Sequence, residues 1–599
     1  MHNVVIPFAI ATAILLCDYY KKTKLWILGY ALIILGFLLY VSAFLIDDFT
    51  LKEVFLHSSR SLDLKFKLSA SWAGSGGFLV WWLFVFTTLS LSRRIKGLVH
   101  YNPMIVALFL VALINGAFDS LSFIPKDGMG LNPSLKTIWM LFHPPATFTA
   151  YALGFLIAID VFAKVESEFA IGMTWLFVTL ANVLGGVWSY FTLGWGGYWA
   201  WDPVETSLLL PWLSLTAYFH LRRSYLISLT GFSIAFAGFV TRGGISTLHG
   251  FAINPTSCVI VFLGIPFLIR AIKDFKIDSL KPVNAVAYSL LGSYLVCLLG
   301  VVYQIVNRVS VSVDYYNFAN MPFLVAFLSL FPMCRGDWRE CRNKLLAVYA
   351  LSTLLAILTI IFDFKWCVYA PKAVNVAVSF VIPLAIFSLV HSLKVDGLGL
   401  KLIHVSIPLL IIAVSVSWPY TYYSNYKSVI VGKTRLDGLN VELSSIDFKE
   451  VGAVYFGGVV IPEEFVEIVK VKVDGRCVEN VVRLNLPYLL SGREFVYSEP
   501  SVLNVGLDDY YLVLPNDMIF NYDLVMFTCR YLYERNETHV LRFVAKNLNV
   551  DYDKLLEKVR VWKPKGEVLI LHKRIPLINL VWISCGLMVI GGVLTRWRR

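Results

Sequence analysis

The sequence has 599 residues, of which 58% are hydrophobic and only 15% are charged, and its net charge is +12. Soluble domains are usually about a quarter charged, so this composition excludes a soluble globule and indicates a chain surrounded largely by lipid. The lysines and arginines lie in short clusters between apolar runs rather than in one patch. This distribution argues against a nucleic-acid-binding protein and is typical of charges that orient membrane helices.

The first apolar run begins at Val4 with no basic segment before it, and no small-residue cleavage site follows in residues 18–22. We therefore interpret it as a membrane span rather than a cleavable signal. A span needs about 20 mostly apolar residues. Fifteen runs are candidate spans, of which the first, seventh and eleventh are the weakest; they are centred near residues 10, 35, 84, 110, 154, 181, 213, 233, 263, 294, 328, 353, 383, 411 and 585.

Basic clusters occupy alternate connections, which predicts that those connections face the cytoplasm. With fifteen spans the N-terminus lies outside and the C-terminus is cytoplasmic, as expected for a multi-pass protein of the plasma or inner membrane. Five segments then lie outside: 47–75, 119–143, 193–206, 241–255 and 419–573.

The sequence predicts an all-α polytopic membrane protein of about 15 transmembrane helices, with one small β-rich extracytoplasmic domain. The division is a transmembrane domain over 1–418, the external domain over 419–573, and a last helix with its tail over 574–599. Alternating Val-, Tyr- and Ile-rich stretches predict strands. They are Ser428–Leu443, Val466–Val473 and Tyr510–Leu514, with a short helix over Tyr552–Arg560 and a barrel-like arrangement expected.

The nine cysteines include no C-x-x-C pair, so the chain has neither a thioredoxin-like motif nor a site for its own covalent haem. Cys477 and Cys529 share the external domain. A disulfide between them and two free thiols both remain open.

The segment 194–206 reads Gly-Trp-Gly-Gly-Tyr-Trp-Ala-Trp-Asp-Pro-Val-Glu-Thr and joins two spans on the outer side. An aromatic belt at the membrane interface is the simple alternative. Interleaved glycines, however, allow close approach of a flat ligand to an indole surface, and Asp202 is placed to cap the next helix with Pro203 at its first position. The candidate platform consists of Trp195, Tyr198, Trp199, Trp201 and Asp202.

Two histidines are predicted at the depth of this segment, His143 in a His-Pro-Pro setting and His249 after the eighth span. Neutral imidazole is a common axial ligand of haem iron, and two such ligands approach from opposite faces. At the cytoplasmic interface, depth does not separate His220 and His404 from His100 and His391. The remaining histidines, His2, His57, His539 and His572, are predicted to be ordinary surface residues.

The tryptophan-rich segment resembles the WWD motif of the haem-handling protein superfamily, whose members bind haem at the outer membrane face. Family members have tryptophan at position 198, an aromatic residue at 200 and asparagine at 206, where this chain has Tyr198, Ala200 and Thr206. The resemblance implies that His143 and His249 are the axial ligands of an outer haem. It also implies that His220 and His404 ligate the iron of an inner b-type haem, with His391 as the nearest competitor.

Within the superfamily the chain resembles CcmF-type cytochrome c haem lyases. The resemblance is carried by Ser-Ala-Ser-Trp-Ala-Gly-Ser-Gly-Gly-Phe-Leu-Val-Trp at 69–81, by Tyr-Ser-Glu-Pro at 497–500, and by a late polar domain before one last span. The family often has an acidic residue near position 76, where this chain has Gly76. NrfE-type paralogues are a close alternative.

This resemblance implies a haem lyase that promotes attachment of haem to the C-x-x-C-H thiols of apocytochrome c. Haem is then a substrate at the outer site and a bound haem b cofactor at the inner site. Expected partners are a CcmE-like haem chaperone, apocytochrome c, CcmH-like maturation proteins and quinol. No residue is assigned as catalytic acid or base. The alternatives are a haem transporter that loads a chaperone and, less favoured, an ion-translocating subunit, for which Asp160 is the main mid-membrane carboxylate.

Overall fold

The computed structural model describes residues 1–599 except 166, 193, 195–196, 247–253, 280, 335–337, 369, 424–426, 431–432, 437–438, 457, 493–494, 517–520, 565, 567, 596 and 598–599. His249 and Trp195, both predicted to contact haem, therefore lie outside the described residues.

Among the described residues, helices cover most of the first 423, and most of these helices are long and apolar. They are α1 (Val5–Lys21), α2 (Trp26–Leu45), α3 (Lys52–His57), α4 (Leu64–Ala70), α5 (Ser75–Ile95), α6 (Asn102–Ile114), α7 (His143–Ala163), α8 (Glu168–Thr192), α9 (Pro203–Leu221), α10 (Ser224–Arg242), α11 (Ile265–Asp274), α12 (Pro282–Asn307), α13 (Val313–Leu330), α14 (Trp338–Phe362), α15 (Lys372–Ser392) and α16 (Leu398–Tyr423). Single-turn and longer 3-10 helices cover Pro133–Leu135, Ile138–Leu141, Pro255–Gly264 and Phe331–Cys334.

The β-rich region follows α16 and precedes the last helix, α21 (Ile578–Leu594). Its strands are β1 (Lys427–Ile430), β2 (Lys433–Leu436), β3 (Leu439–Val451), β4 (Val454–Phe456), β5 (Val459–Ile461), β6 (Glu464–Val473), β7 (Arg476–Asn485), β8 (Val496–Glu499), β9 (Ser501–Val505), β10 (Asp508–Val513) and β11 (Leu569–Ile575). Its helices are α17 (Leu486–Leu490), α18 (Tyr522–Glu534), α19 (Thr538–Asn547) and α20 (Tyr552–Val561).

The predicted fold class is confirmed. Each of the fifteen predicted span centres lies in a helix. Among the described residues, ten helices are long and apolar enough to cross a membrane by length and composition, and α6 and α21 are shorter apolar helices. The three other predicted spans are α1, α9 and α13, and these are the runs with the weakest apolar pattern.

The described strands form an open four-stranded sheet, β1-β11-β10-β9, an open five-stranded sheet, β2-β3-β6-β7-β8, and the hairpin β4-β5, rather than one closed barrel. All the pairings are antiparallel, and β3 with β6 and β7 forms the longest ladder. Val469, Val471 and Leu484 lie in the core beneath this sheet. The amphipathic helices α18 and α19, which the strand pattern did not predict, cover that core.

Two side chains of the β-rich region differ from the sequence predictions. His572 was predicted to be a surface residue, but it is 2% exposed and stacks on Tyr510 with ring centroids 5.8 Å apart. The alternation of β11 points it inward, between β1 and β10. Cys477 is exposed, Cys529 is buried, and both are free thiols, so they form no disulfide.

The β-rich region rests on one end of the helical bundle. Tyr190 near the end of α8 donates a 2.9 Å hydrogen bond to Asp509 of β10. His2 lies at the same end, where Nε2 is 3.1 Å from Asp48 of the 47–75 loop. At the other end, Trp597 packs against Phe219 of α9 with ring centroids 5.2 Å apart. The two ends of the chain thus lie at opposite ends of the bundle, and which end is cytoplasmic stays a prediction.

Buried ion pairs join helices at the end distant from the β-rich region. Arg94 in the last turn of α5 donates to Asp18 of α1 at 2.6 Å, and its neighbour Arg93 pairs with Asp160 of α7 at 3.0 Å. A buried charge is retained only when it is paired and hydrogen-bonded. Asp160, the carboxylate that an ion pathway would need, therefore fastens α5 to α7.

Candidate functional site

His143 is the first residue of α7, followed by two prolines that suit a first helical turn because they need no backbone hydrogen bond there. Its Nδ1 is 3.0 Å from the carbonyl oxygen of Ala181 on α8. A carbonyl can only accept, so Nδ1 donates, and neutral imidazole then carries its lone pair on Nε2. This hydrogen bond is the usual support of a metal-ligating histidine.

The face of α8 opposite His143 is shaped to receive the imidazole. A Cβ at Gly185 would lie 3.1 Å from Cε1 of His143, so the ring approaches the helix where only glycine gives it room. Trp188, one turn further along, meets the ring edge-on with centroids 5.6 Å apart. A Cβ at the next glycine, Gly186, would lie 3.1 Å from the Tyr198 carbonyl oxygen. The sequence patterns did not predict a role for the Gly185-Gly186 pair. Its position, two helical turns before the tryptophan-rich segment, is the signal that could have identified it.

Asp202 caps α9 as predicted, with Pro203 at the first helical position. Its carboxylate accepts the Val204 N–H at 2.8 Å, while the Glu205 carboxylate turns back to accept the Asp202 N–H at 3.4 Å and also the Ala200 N–H at 2.7 Å. This capping box satisfies amide groups that would otherwise lack partners at the helix end. It fixes the direction in which the tryptophan-rich segment enters α9.

Trp201 is held from three directions. Its indole stacks on Tyr316 of α13, its Nε1 donates to Asn317 at 3.1 Å, and Trp418 of α16 meets it at a steep angle. Its φ of +54° is unusual for a non-glycine residue, and such strain persists where surrounding contacts enforce it. Trp199 stands edge-on to Trp201, with centroids 5.7 Å apart.

Tyr198 has a different environment from the two tryptophans. Its hydroxyl shares a 2.8 Å hydrogen bond with Ser417 of α16, and its ring meets Trp582 of α21 at 5.9 Å. The side chain is 7% exposed. Tyr198 therefore anchors the segment to the last two long helices, while Trp199 and Trp201 offer the broader aromatic surface.

The turn that leads toward His249 is fastened to the same segment. Ser246 donates a hydrogen bond to Asp202, so one carboxylate serves both the helix cap and this turn. Four residues earlier, Arg242 ends α10 and donates to the Ala73 carbonyl at 2.8 Å and to the Trp72 carbonyl at 3.3 Å. Although His249 itself is outside the described residues, the chain is fixed three residues before it.

The 69–81 segment receives a carboxylate from elsewhere in the sequence. Glu53 of α3 accepts the Gly76 N–H at 3.2 Å and lies 3.7 Å from Nε2 of His57. Burial raises the pKa of Glu53 from 4.5 to about 7, and the Gly76 N–H and the nearby Arg242 offset part of that rise. Glu53 of α3 thus places a carboxylate beside Gly76, near the position where family members often have an acidic residue.

His220 and His404 lie at the bundle end distant from the β-rich region, on α9 and α16. Their imidazoles are close enough to interact electrostatically. Nδ1 of His404 donates to its own helix at Leu400, 2.7 Å away, and the ring stacks on Phe331. His391 donates in the same manner to Phe387 at 2.9 Å. The electrostatic interaction joins His220 to His404, and the described contacts of His391 are with Phe387 of its own helix.

Fold and site together define a polytopic membrane protein with a tryptophan-rich segment between two helices, beneath a β-rich region inserted before the last helix. Residues 69–242 match the family model described as "Cytochrome C assembly protein". That match begins at the segment that Glu53 contacts and ends at Arg242, which donates to the same segment.

Comparison with individual proteins narrows the class of protein that this chain resembles. CcmF of Escherichia coli K12, a cytochrome c-type biogenesis protein, is 27% identical over 54% of this chain and 60% of its own length. NrfE of Haemophilus influenzae is 32% identical over 38% of this chain and 41% of its own length. The chain therefore spans about two to three fifths of these curated relatives. The solved structure titled "Cytochrome c Heme Lyase CcmF" has a TM-score of 0.64, covers 99% of this chain and 96% of its own, and is 17% identical, which shows the shared fold.

The resemblance to CcmF-type proteins of cytochrome c-type biogenesis is therefore confirmed. NrfE matches as well, so the paralogue alternative stays a hypothesis.

Proposed function

We propose that this protein is a haem lyase, which holds haem at the end of the bundle beneath the β-rich region and promotes its attachment to the C-x-x-C-H thiols of apocytochrome c. The observation that carries the proposal is His143, oriented by the Ala181 carbonyl beside Trp188 and the capped tryptophan-rich segment. The solved structure with the same fold is titled a cytochrome c haem lyase, and the CcmF relative is a cytochrome c-type biogenesis protein.

The described residues fit haem as the substrate of this site. Nε2 of His143 has the lone pair that iron needs, and Trp199 and Trp201 supply apolar surface for a porphyrin face. His249 is proposed as the second axial ligand, on the chain that Ser246 fixes to Asp202. The arrangement can hold the ring in one orientation, and such positioning supplies much of the rate enhancement in an addition reaction.

The addition is redox-neutral overall, because the vinyl C=C π bond and the thiol S–H bond break while a C–S and a C–H bond form. Each cysteine sulfur bonds to the α carbon of a haem vinyl group, and the thiol proton is transferred to the β carbon. No residue is assigned as the acid or base. Asp202 and Glu205 are both occupied by the capping box, which favours a structural role for them.

His220 and His404 are proposed to hold a resident haem b, since their imidazoles, on two different helices, interact electrostatically and a carbonyl orients the second of them. When bound, such a haem supplies one-electron chemistry. With quinol as the electron donor, this pair would keep the substrate iron reduced. A CcmE-like chaperone as the source of haem and CcmH-like proteins as further partners belong to the same proposal.

The test is co-expression with an apocytochrome that carries one C-x-x-C-H motif, followed by haem staining on a denaturing gel. We expect covalent haem with the wild-type protein and none with His143→Ala. Haem transfer to a chaperone without any covalent product would instead favour the transporter alternative.

A further inference from the structure

A buried group of charges joins the β-rich region to the loop that leads into His143. Lys136 Nζ lies 2.7 Å from Oε1 of Glu463 and 2.8 Å from Oε1 of Glu464. The three side chains are 17%, 5% and 3% exposed. Ser61 of the 47–75 loop donates to Glu463, and Arg483 of β7 donates to Glu464.

The opposite charges of this cluster stabilise the contact between Lys136 and the two glutamates. Burial lowers the pKa of Lys136, but Glu463 and Glu464 outweigh burial, and that pKa lies above its ordinary value. Burial raises the pKa of Glu464, yet Lys136 and Arg483 hold it below its ordinary value. Breaking such a cluster by removing one partner is costly because the remaining charges stay buried.

Only six residues separate Lys136 from His143 in the sequence, and the chain between them is packed. Thr137 caps the 3-10 helix Ile138–Leu141 by accepting the Trp139 N–H at 3.0 Å. Trp139 stacks on Phe191 of α8, with ring centroids 6.2 Å apart. His143 follows this helix after one residue. A shift of Lys136 therefore moves a packed element rather than a slack loop.

The same sheet also touches the tryptophan-rich segment. Glu499 of β8 accepts a 2.6 Å hydrogen bond from Arg483. Glu499 belongs to the Tyr-Ser-Glu-Pro stretch, to which the proposed function assigns no role. The preceding residue, Ser498, directs its carbonyl oxygen toward Gly194, and a Cβ at that glycine would lie 3.3 Å from it. One sheet thus contacts both the tryptophan-rich segment, at Gly194, and the loop before His143, at Lys136.

We propose that Lys136, with Glu463 and Glu464, is a positioning residue that couples the β-rich region to His143, so that haem affinity at this site depends on the cluster. The proposal rests on the proposed role of His143. It gives the β-rich region a direct influence on the haem site, and it assigns Lys136 a role that no sequence motif indicates.

The test is titration of ferric haem into the purified full-length protein in detergent, with the absorption of the resident inner haem as an internal reference. For Lys136→Met we expect the dissociation constant of the added haem to rise about tenfold, equal to about 1.4 kcal/mol, with the inner haem unchanged. Lys136→Arg should restore most of the affinity. The matched control is Lys126→Met, because Lys126 joins the same loop to Tyr455 through an exposed 3.1 Å contact.

Should Lys136→Met not fold, the variant Lys136→Met/Glu463→Gln/Glu464→Gln, which leaves no unpaired buried charge, takes its place with the same expected loss. Affinity within twofold of wild type, or equal loss of the inner and added haems, overturns the proposal. If His143→Ala binds added haem normally, the proposed function fails. If only His143→Ala weakens binding, the coupling alone fails.

Discussion

The indole of Trp201 lies flat against the phenol ring of Tyr316, with ring centroids 4.9 Å apart and planes 10° apart. The contact ties the tryptophan-rich segment to α13, which follows it by more than 100 residues in sequence. Tyr316 is fully buried, and Gln304 of α12 donates to its hydroxyl at 3.1 Å. The orientation of the candidate haem surface is therefore set partly by helices outside the segment.

Replacing Tyr316 by alanine removes this support and leaves a cavity behind an indole held at a strained φ. We expect Tyr316→Ala to weaken binding of added haem about tenfold or more, since losing a buried aromatic ring costs roughly 3–5 kcal/mol of stability and frees Trp201. Tyr316→Phe retains the stack and should bind haem nearly as wild type. Equal haem affinity in the alanine and phenylalanine variants would show that the stack does not orient the site.

The hydrogen bond from Ser246 to Asp202 leads to a second prediction. Ser246→Ala leaves the capping box intact but releases the turn before His249, so haem affinity should fall. The free energy of unfolding should change by only about 1 kcal/mol. Asp202→Ala should lower both, because an N-cap contributes roughly 0.5–2 kcal/mol. A double-mutant cycle measured by haem titration checks the coupling; strictly additive effects on affinity would contradict it.

The inner pair is tested by the absorption spectrum of the purified protein. His220→Ala and His404→Ala should each abolish a bis-histidine b-type signal, because these two imidazoles are the proposed axial ligands and interact electrostatically with each other. His391→Ala is the matched control, since that residue has the same helix-carbonyl hydrogen bond. Loss of the signal in His391→Ala with retention in His404→Ala would reverse the assignment.

Glu53 predicts a pH dependence of stability. Its pKa rises from 4.5 to about 7 on folding, so between those values the native state keeps a proton that the unfolded state has lost. Stability should therefore fall as pH rises through this window, by on the order of 3 kcal/mol, and level off above it. Unfolding of wild type and Glu53→Gln at pH 5 and pH 8 measures the difference, with His57→Gln separating the neighbouring imidazole. A wild-type protein that loses no more stability than Glu53→Gln would contradict this assignment.

Local patterns in the sequence were sufficient to predict the helical bundle and the cap of α9. Every predicted span centre falls in a helix because about 20 apolar residues have few alternatives to a membrane helix. The Asp202-Pro203 pair predicted the cap because the chemistry of a helix start is confined to a few consecutive residues, although the part played by Glu205 was not predicted.

Contacts between distant segments were beyond the reach of the sequence patterns. Glu53 reaches Gly76, Lys136 reaches Glu463, and Tyr316 reaches Trp201 only after the chain has folded. The error at His572 has a related cause, because a short strand between two partners buries a polar side chain that would be exposed on an edge. Helices α18 and α19 were missed since their mixed composition carries no strong strand or span signal.

His143 and His249 are proposed to hold haem between them beside the tryptophan-rich segment. Low-temperature electron paramagnetic resonance of the purified protein loaded with ferric haem examines this ligation. We expect two low-spin bis-histidine signals in the wild type, of which one disappears in both His143→Ala and His249→Ala while the inner signal persists. Two undiminished signals in both variants would contradict it.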